Sequence, residues 1–524
     1  MAEALLDRPY LIDKMKLFSE EDILAIEQQT LAEYGMTKLQ FIDAIGSDTA
    51  NEIVSSFDNR RPIVIFAGPD TCGAYALAAG CHLYAKGLTP YVFLFNIGGN
   101  KLSSECEIWR SKYLACSDEQ IMTEVTGLRF SMPELDSGML VVDGLFGSDI
   151  TGPLSRGYQI LVNNINDSGA TIISIDTPSG LPGNPTSGLI NSKIIHADTT
   201  LALIMPRMSF FINENIELVG RWKVIGPKPS QATIRRMRNT HFLIEGDNIR
   251  KRLKPRRFDC SKNDYGSAII FAGSYGMMGA AVLATKSASR SGCGRVICHS
   301  PRCGYNIIQT SVPSALFEAD KDENAITDIE LRHNYSAIAI GPGLGTSDRT
   351  ISALEQFLKI SSANGRPVIL DADALNCMSI RPTMIDYLPV LSILTPHSGE
   401  FDRLFGRQPS SSARLAKAVE ISRKYKIIIV LKGYYTVTVR PDGKVFYNSS
   451  GTPALATAGT GDVLTGLMAG LLAQGLKPEI ASVAAVYIHG VAGRIAENIN
   501  GTYGVTADDV ADCVGKAIKS IMCD

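Results

Sequence analysis

The chain of 524 residues has no CxxC pair and no Cys/His cluster at zinc-ligand spacing, although eleven cysteines are scattered from Cys72 to Cys523. An odd, dispersed set of thiols excludes a disulfide scaffold or a zinc ribbon and fits reduced side chains. Neither charge is in excess: 51 Lys+Arg against 53 Asp+Glu leave a formal charge of −2. A near-neutral chain with 7% aromatic residues offers neither the field nor the stacking platform that nucleic acid requires, so none is expected as a partner. No run of 18 apolar residues occurs, and the opening MAEALLDRPYLIDKMKLF lacks the features of a signal peptide. No membrane partner and a cytoplasmic location are expected. Short-period repeats and low-complexity tracts are also missing. What remains is an ordinary globular composition, long enough for two to four domains of about 100–200 residues each.

Glycine is what the chain has in excess, with 47 residues gathered in short clusters after apolar β-branched runs. Ser19 opens SEED, a helix-capping pattern, with Ile23, Leu24, Ile26 and Leu31 following at helical spacing. Then come PIVIF (62–66), YVFLF (91–95), MLVV (139–142) and TIISI (171–175), separated by helix-length segments. Continuous apolar runs at that spacing predict buried parallel strands with crossover helices, a Rossmann-like three-layer α/β domain over 1–230. Residues 231–245 fall in a Pro-bearing, basic stretch (226–258) without a strong apolar run and read as a linker, its charges as solvated surface. From 246 to 524 the alternation resumes with SAIIF (267–271), RVIC (295–298), AIAI (337–340), VIL (368–370), SIL (392–394) and IIIVL (427–431). These predict a second, larger α/β/α domain.

The second half carries the clearest chemistry. In AGTGD (458–462), Gly459 and Gly461 flank Thr460, Asp462 follows, and VLTGLMAGLL then reads as an apolar helix. A glycine turn opening a helix aims N–H groups and the positive dipole end at one spot, which suits phosphate oxygens. Asp462 is either a general base for a hydroxyl attacking phosphate or a plain helix cap. LTPHSGEF (394–401) sets His397 and Glu400 after a strand, at the carboxyl edge where open α/β sheets bind ligands. LKGYYT (431–436) and GPGLG (341–345) place glycines after two more strands. Asp371 and Asp373 in LDADALN read more readily as strand-end caps than as ligands.

Taken in order, GSYGMMGAA (273–281), GPGLG, LDADALN, LTPHSGEF, LKGYYT and AGTGD resemble the ADP/ATP-dependent NAD(P)H-hydrate dehydratases, a ribokinase-like family, over about residues 240–520. The resemblance implies that ADP or ATP, with ADP the expected donor, phosphorylates the hydroxyl of hydrated NADH or NADPH, and that loss of phosphate restores the nicotinamide double bond. It makes Asp462 the catalytic aspartate, with Ala280, Gly343, His397 and Asp462 at hydrate positions. Lys432, Gly433, Tyr434, Tyr435, Thr436 and Gly461 fall at nucleotide positions, and Glu400 at the carboxylate that organises Mg²⁺. A homo-oligomer is expected on the same ground. A small-molecule kinase would share AGTGD, and a nucleotide-binding scaffold would share the fold; the first half argues against the kinase and retention of Asp462 against the scaffold.

That first half resembles the NAD(P)H-hydrate epimerase domain often fused to such dehydratases, through VDGLFGSDITGP (142–153) and SIDTPSGL (174–181). The resemblance implies substrate contacts at Gly147, Ser148, Asp149, Ile150, Thr151, Gly152, Pro153 and Asp176. Asp143 matches a catalytic and K⁺-binding carboxylate, Ser179 a K⁺ position, and Lys101 in GGNKLS a basic catalytic partner. The departure is GPDTCGAYA (68–76), where the family has a loop such as GPGNNGGDG. Thr71 and Cys72 replace two asparagines, and Ala74, Tyr75 and Ala76 replace Gly-Asp-Gly. A thiol is a poor ligand for a hard cation, and Tyr75 fills space that glycines leave open. A domain kept for packing or assembly is therefore favoured over an active epimerase.

Overall fold

The chain enters through a short strand, β1 (Met15–Leu17), and the helix Glu20–Tyr34. Ser19 starts that helix by accepting a bond from the Asp22 amide at 3.2 Å, and Gly35 ends it in the left-handed region. The computed structural model describes residues 15–58, 60–97, 102–116, 121–127, 132–185 and 193–523. They form two units: Leu17–Asn239 with Ser410–Ser412, and Thr240–Pro409 with Ala413–Asp524 and the residues before Leu17. Among the described residues no helix is long and apolar enough to cross a membrane.

In the first unit the strands are β2 (Ile63–Ala67), β3 (Tyr91–Phe95), β4 (Met122–Val125), β5 (Leu140–Gly144), β6 (Thr171–Ile175), β7 (Thr199–Leu203) and β8 (Arg221–Ile225). They pair in parallel in the order β4-β3-β2-β5-β6-β7-β8. Along β2 the side chains alternate between two cores: Ile63, Ile65 and Ala67 pack on one face, Val64 and Phe66 on the other. Burial on both faces is what makes the run continuously apolar. The sequence pattern picks out β2, β3, β5 and β6 but passes over β4, β7 and β8. MTEV and RWKVI are edge strands with polar or exposed positions, and threonines dilute TTLAL.

The second unit adds β9 (His241–Ile244), β10 (Ser267–Phe271), β11 (Arg295–Ser300), β12 (Leu316–Ala319), β13 (Ala337–Ile340), β14 (Ile369–Leu370), β15 (Ile393–Leu394), β16 (Ile428–Leu431), β17 (Val437–Val439) and β18 (Val445–Asn448). The sheet runs β1-β9-β18-β17-β16-β15-β14-β13-β10-β11-β12, parallel from β12 to β16 and antiparallel through β17 and β18. Residues 231–245, read above as a linker, instead carry the helix Gln231–Arg236 and strand β9. Ser230 caps that helix, and β9 is held by parallel pairing with β18, a distant partner that no local pattern reveals.

The helices Thr460–Ala473 and Met278–Arg290 meet almost backbone to backbone. A Cβ on Gly466 would sit 1.9 Å from the Ala284 carbonyl oxygen, and one on Gly470 1.9 Å from Ser291 Oγ. The Ser287 hydroxyl also donates to the Val463 carbonyl at 2.7 Å. The strand order changes sense between β2 and β5 in the first unit and, within the parallel part of the second sheet, between β10 and β13. Ligands of open α/β sheets bind at such switch points, beyond the carboxyl ends of the strands.

Candidate active site

In the second unit the carboxyl ends of β10, β13, β14, β15 and β16 converge with the start of the helix Thr460–Ala473. Gly459 caps that helix at φ 90°, a conformation only glycine adopts without strain, so Asp462 is its third residue and not its cap. No donor among the described residues bonds the Asp462 carboxylate. Burial, then the negative charge of Asp371, pushes its pKa up to about 7, against the pull of Lys432. A carboxylate so poised exchanges protons near neutrality, as a general base must.

Lys432 follows β16. Its Nζ lies 2.9 Å from Asp371 Oδ1 and 3.7 Å from Glu400 Oε2. Burial opposes its charge, but these two carboxylates hold its pKa above the ordinary value. Asp371, only 1% exposed, also accepts the Thr465 hydroxyl at 2.6 Å. Burial works against its charge too, yet Lys432 and Thr465 keep it below the usual range. Asp371 thus ties the lysine to the helix that carries Asp462. The strand-end reading given to Asp371 from sequence is corrected: its oxygens bond Lys432 and Thr465 at the site, and Ala372 after it turns the chain at φ 48°. Asp373 does serve the turn, accepting from the Gly345 amide at 2.9 Å and from Asn376 at 3.0 Å.

His397 caps the helix Ser398–Phe405, its Nδ1 accepting from the amides of Gly399 at 3.0 Å and Glu400 at 3.3 Å, while Glu400 Oε2 accepts from the His397 amide at 2.8 Å. That reciprocal box holds Glu400 beside Lys432. Ala280 and Gly343 adjoin across the switch point, a Cβ on Gly343 lying 3.1 Å from that of Ala280. A cavity of about 440 Å³ opens beside the turn, lined by Lys432, Gly433, Tyr434, Thr436 and Gly461 and walled by Leu455, Leu464 and Val486. Tyr435 stands behind Tyr434, ring against ring at 4.9 Å. His489, which no motif marks, also lines this cavity.

In the first unit Asp143 is the penultimate residue of β5, fully buried. Its oxygens accept from Ser174 Oγ at 2.7 Å, Ser179 Oγ at 2.5 Å, the Ser179 amide at 2.9 Å and the Leu145 amide at 3.3 Å. Burial raises its pKa and these bonds restrain the rise. Asp176, at φ 71°, accepts from the Ser148 amide at 2.7 Å and from Arg207 at 2.6 Å. Gly147–Pro153 follow β5 beside Asp176, with Asp149, Thr151 and Pro153 exposed and Ile150 and Gly152 half-buried. Lys101 lies outside the described residues.

The altered segment 68–76 forms the start of the helix Thr71–Ala85. Cys72 is buried, its thiol donating to the Ile175 carbonyl at 3.7 Å, and burial pushes its pKa well up. Tyr75 packs edge-on to Phe41 with ring centroids 6.0 Å apart. A monovalent cation needs oxygen lone pairs converging on it. Here N–H and O–H donors already face Asp143, and Cys72 brings sulfur where the resemblance expects oxygen. The residues do not fit K⁺.

A glycine-opened helix, a poised carboxylate and a half-buried lysine at the carboxyl edge of such a sheet place the second unit in the ribokinase-like class, while the first unit is Rossmann-like. Residues 268–516 match the NAD(P)H-hydrate dehydratase family, and residues 38–209 match the YjeF-related protein N-terminus. The bifunctional NAD(P)H-hydrate repair enzyme Nnr of Thermofilum pendens is 30% identical over 523 residues, spanning 97% of each chain. That of Moorella thermoacetica is 28% identical over 530 residues, again 97% of each. A solved ADP/ATP-dependent NAD(P)H-hydrate dehydratase from Bacillus subtilis, co-crystallized with ATP/Mg²⁺, is 31% identical over 53% of this chain and 98% of that one, with a TM-score of 0.46. The chain belongs to the family of bifunctional NAD(P)H-hydrate repair enzymes.

Proposed function

We propose that the second unit dehydrates hydrated NADH and NADPH at the expense of ADP or ATP, with Asp462 as the base. Asp462 takes the proton of the hydrate's hydroxyl, and the oxygen attacks the terminal phosphorus of the nucleotide, which leaves one phosphate shorter. The phosphate then departs with the electrons of the C–O bond, and loss of a proton from the neighbouring carbon restores the ring double bond. Lys432 and the N–H groups of the 459–462 turn neutralise and position the phosphate oxygens. Ala280, Gly343 and His397 border the hydrate, and Gly433, Tyr434, Tyr435, Thr436 and Gly461 the nucleotide.

Mg²⁺ at nucleotide sites uses one or two carboxylates and otherwise phosphate oxygens and water. Glu400, 7% exposed and held beside Lys432, fits that need and would hold the ion. When bound, the ion supplies further charge neutralisation to the phosphates. The observation that carries the reading is Asp462 itself, a carboxylate with no donor among the described residues and its pKa raised to about 7, beside a half-buried Lys432 and a nucleotide-sized cavity.

The first unit, with Asp143 satisfied by its own neighbours and Tyr75 filling the loop, serves as a structural partner and does not exchange the hydrate epimers. Recovery of dihydronicotinamide absorbance from purified S- and R-hydrates, each with ADP or ATP, Mg²⁺ and K⁺, tests both statements. The S-hydrate recovers promptly and the R-hydrate only at its spontaneous epimerisation rate. Nucleotide binding without recovery from either would refute the dehydratase reading, and prompt recovery from both would refute the structural reading of the first unit.

A further inference from the structure

We propose that His489 reads the sugar of the nucleotide, its Nε2 accepting a hydrogen bond from a ribose hydroxyl. The proposal rests on the nucleotide reading of the 440 Å³ cavity above. His489 projects from the helix Pro478–Asn500 into that cavity's lining and is 9% exposed. Its Nε2 is shut off from solvent and has no hydrogen-bond partner in the protein. Buried polar atoms rarely stay unsatisfied, so one on a side chain that lines a cavity points to a ligand atom there.

The tautomer follows from the other side of the ring, where the Thr460 backbone raises the imidazole pKa, as a carbonyl accepting from a ring N–H does. A carbonyl only accepts, so the ring proton stays on Nδ1 and Nε2 presents a lone pair. Burial, with Lys432 adding to it, pushes the imidazole pKa down to about 4, so the ring is neutral at physiological pH. The partner must therefore be a donor, which excludes a phosphate oxygen and leaves an O–H or N–H of the nucleoside.

Position chooses between them. Thr460 is the first residue of the helix whose turn faces the phosphates, and the imidazole is bonded directly to it. The part of a nucleotide covalently next to its phosphates is the sugar.

Calorimetric titration of the full chain with Mg²⁺ and ADP, 2′-deoxy-ADP, 3′-deoxy-ADP or inosine diphosphate tests the assignment. The wild type binds ADP about tenfold more tightly than one of the deoxy analogues. His489→Phe binds all three adenine nucleotides equally, and His489→Gln, whose amide oxygen can accept, recovers part of the preference. A ribose preference that survives in His489→Phe overturns the proposal, as does a change confined to the ADP against inosine diphosphate comparison. If the wild type binds none of the four, the nucleotide reading of the cavity has failed; if it binds all of them alike, only the role of His489 has.

Discussion

Each unit sets an aspartate at the switch edge of its sheet, Asp143 fully buried and Asp462 half-buried, and the two are treated in opposite ways. Asp143 receives four hydrogen bonds from Ser174, Ser179 and Leu145, whereas Asp462 receives none from the described residues and is held among like charges. Both carboxylates are pushed toward the neutral form by burial. Only Asp462 is left with its oxygens free to take a proton from something else. Reactivity at such an edge is set by how few of a carboxylate's lone pairs the fold itself uses.

The comparison breaks most sharply by substitution. Asp462→Asn lowers the rate of S-hydrate dehydration about a thousandfold while ADP affinity, by calorimetry, changes less than about threefold. Asp143→Asn leaves that rate unchanged. Equal losses in the two variants would contradict the contrast. Restoring the family loop at Thr71, Cys72, Ala74, Tyr75 and Ala76 is expected to raise K⁺-dependent R/S exchange about tenfold, read by chiral separation of the hydrates. It also lowers the melting temperature, since removing the buried Tyr75 ring costs about 3–5 kcal/mol.

A smaller effect concerns pH. The dehydratase needs Asp462 ionised, so kcat/KM rises with pH through about 7 and then levels off. Asp371 contributes to the raised pKa, so Asp371→Asn moves the inflection downward by about one pH unit. An upward move would reverse the assigned sign. The least effect is on stability. A carboxylate whose pKa rises from 3.8 to about 7 on folding stabilises the fold while protonated, and that contribution is lost as pH climbs through about 7. Asp462→Asn therefore raises the melting temperature at pH about 8 by a few degrees and hardly alters it at pH about 4.

The parallel core strands were legible because burial on both faces writes continuous β-branched runs, and the nucleotide-side residues because they sit in glycine clusters after those strands. The edge strands β4 and β8 were not, since half their positions face solvent. Asp371 misleads because LDADALN looks like a cap; only the 61-residue jump to Lys432 and the 94-residue jump to Thr465 reveal its role. The saturation of Asp143 was equally hidden, its donors arriving 31 and 36 residues later from β6 and the turn beyond it. His489 carries no local signal, lying mid-helix among buried alanines and valines.

The glycine contacts of Gly466 and Gly470 bear on how the site tolerates change. The helix they belong to carries Asp462, and the helix they touch carries Ala280. Where Gly466 meets the Ala284 backbone the joint has no rotamers through which to slip, so base and substrate wall behave as one machined part whose spacing cannot drift. A single methyl group at position 466, one turn along the helix from Asp462, would re-aim the catalyst while leaving every reacting group chemically intact.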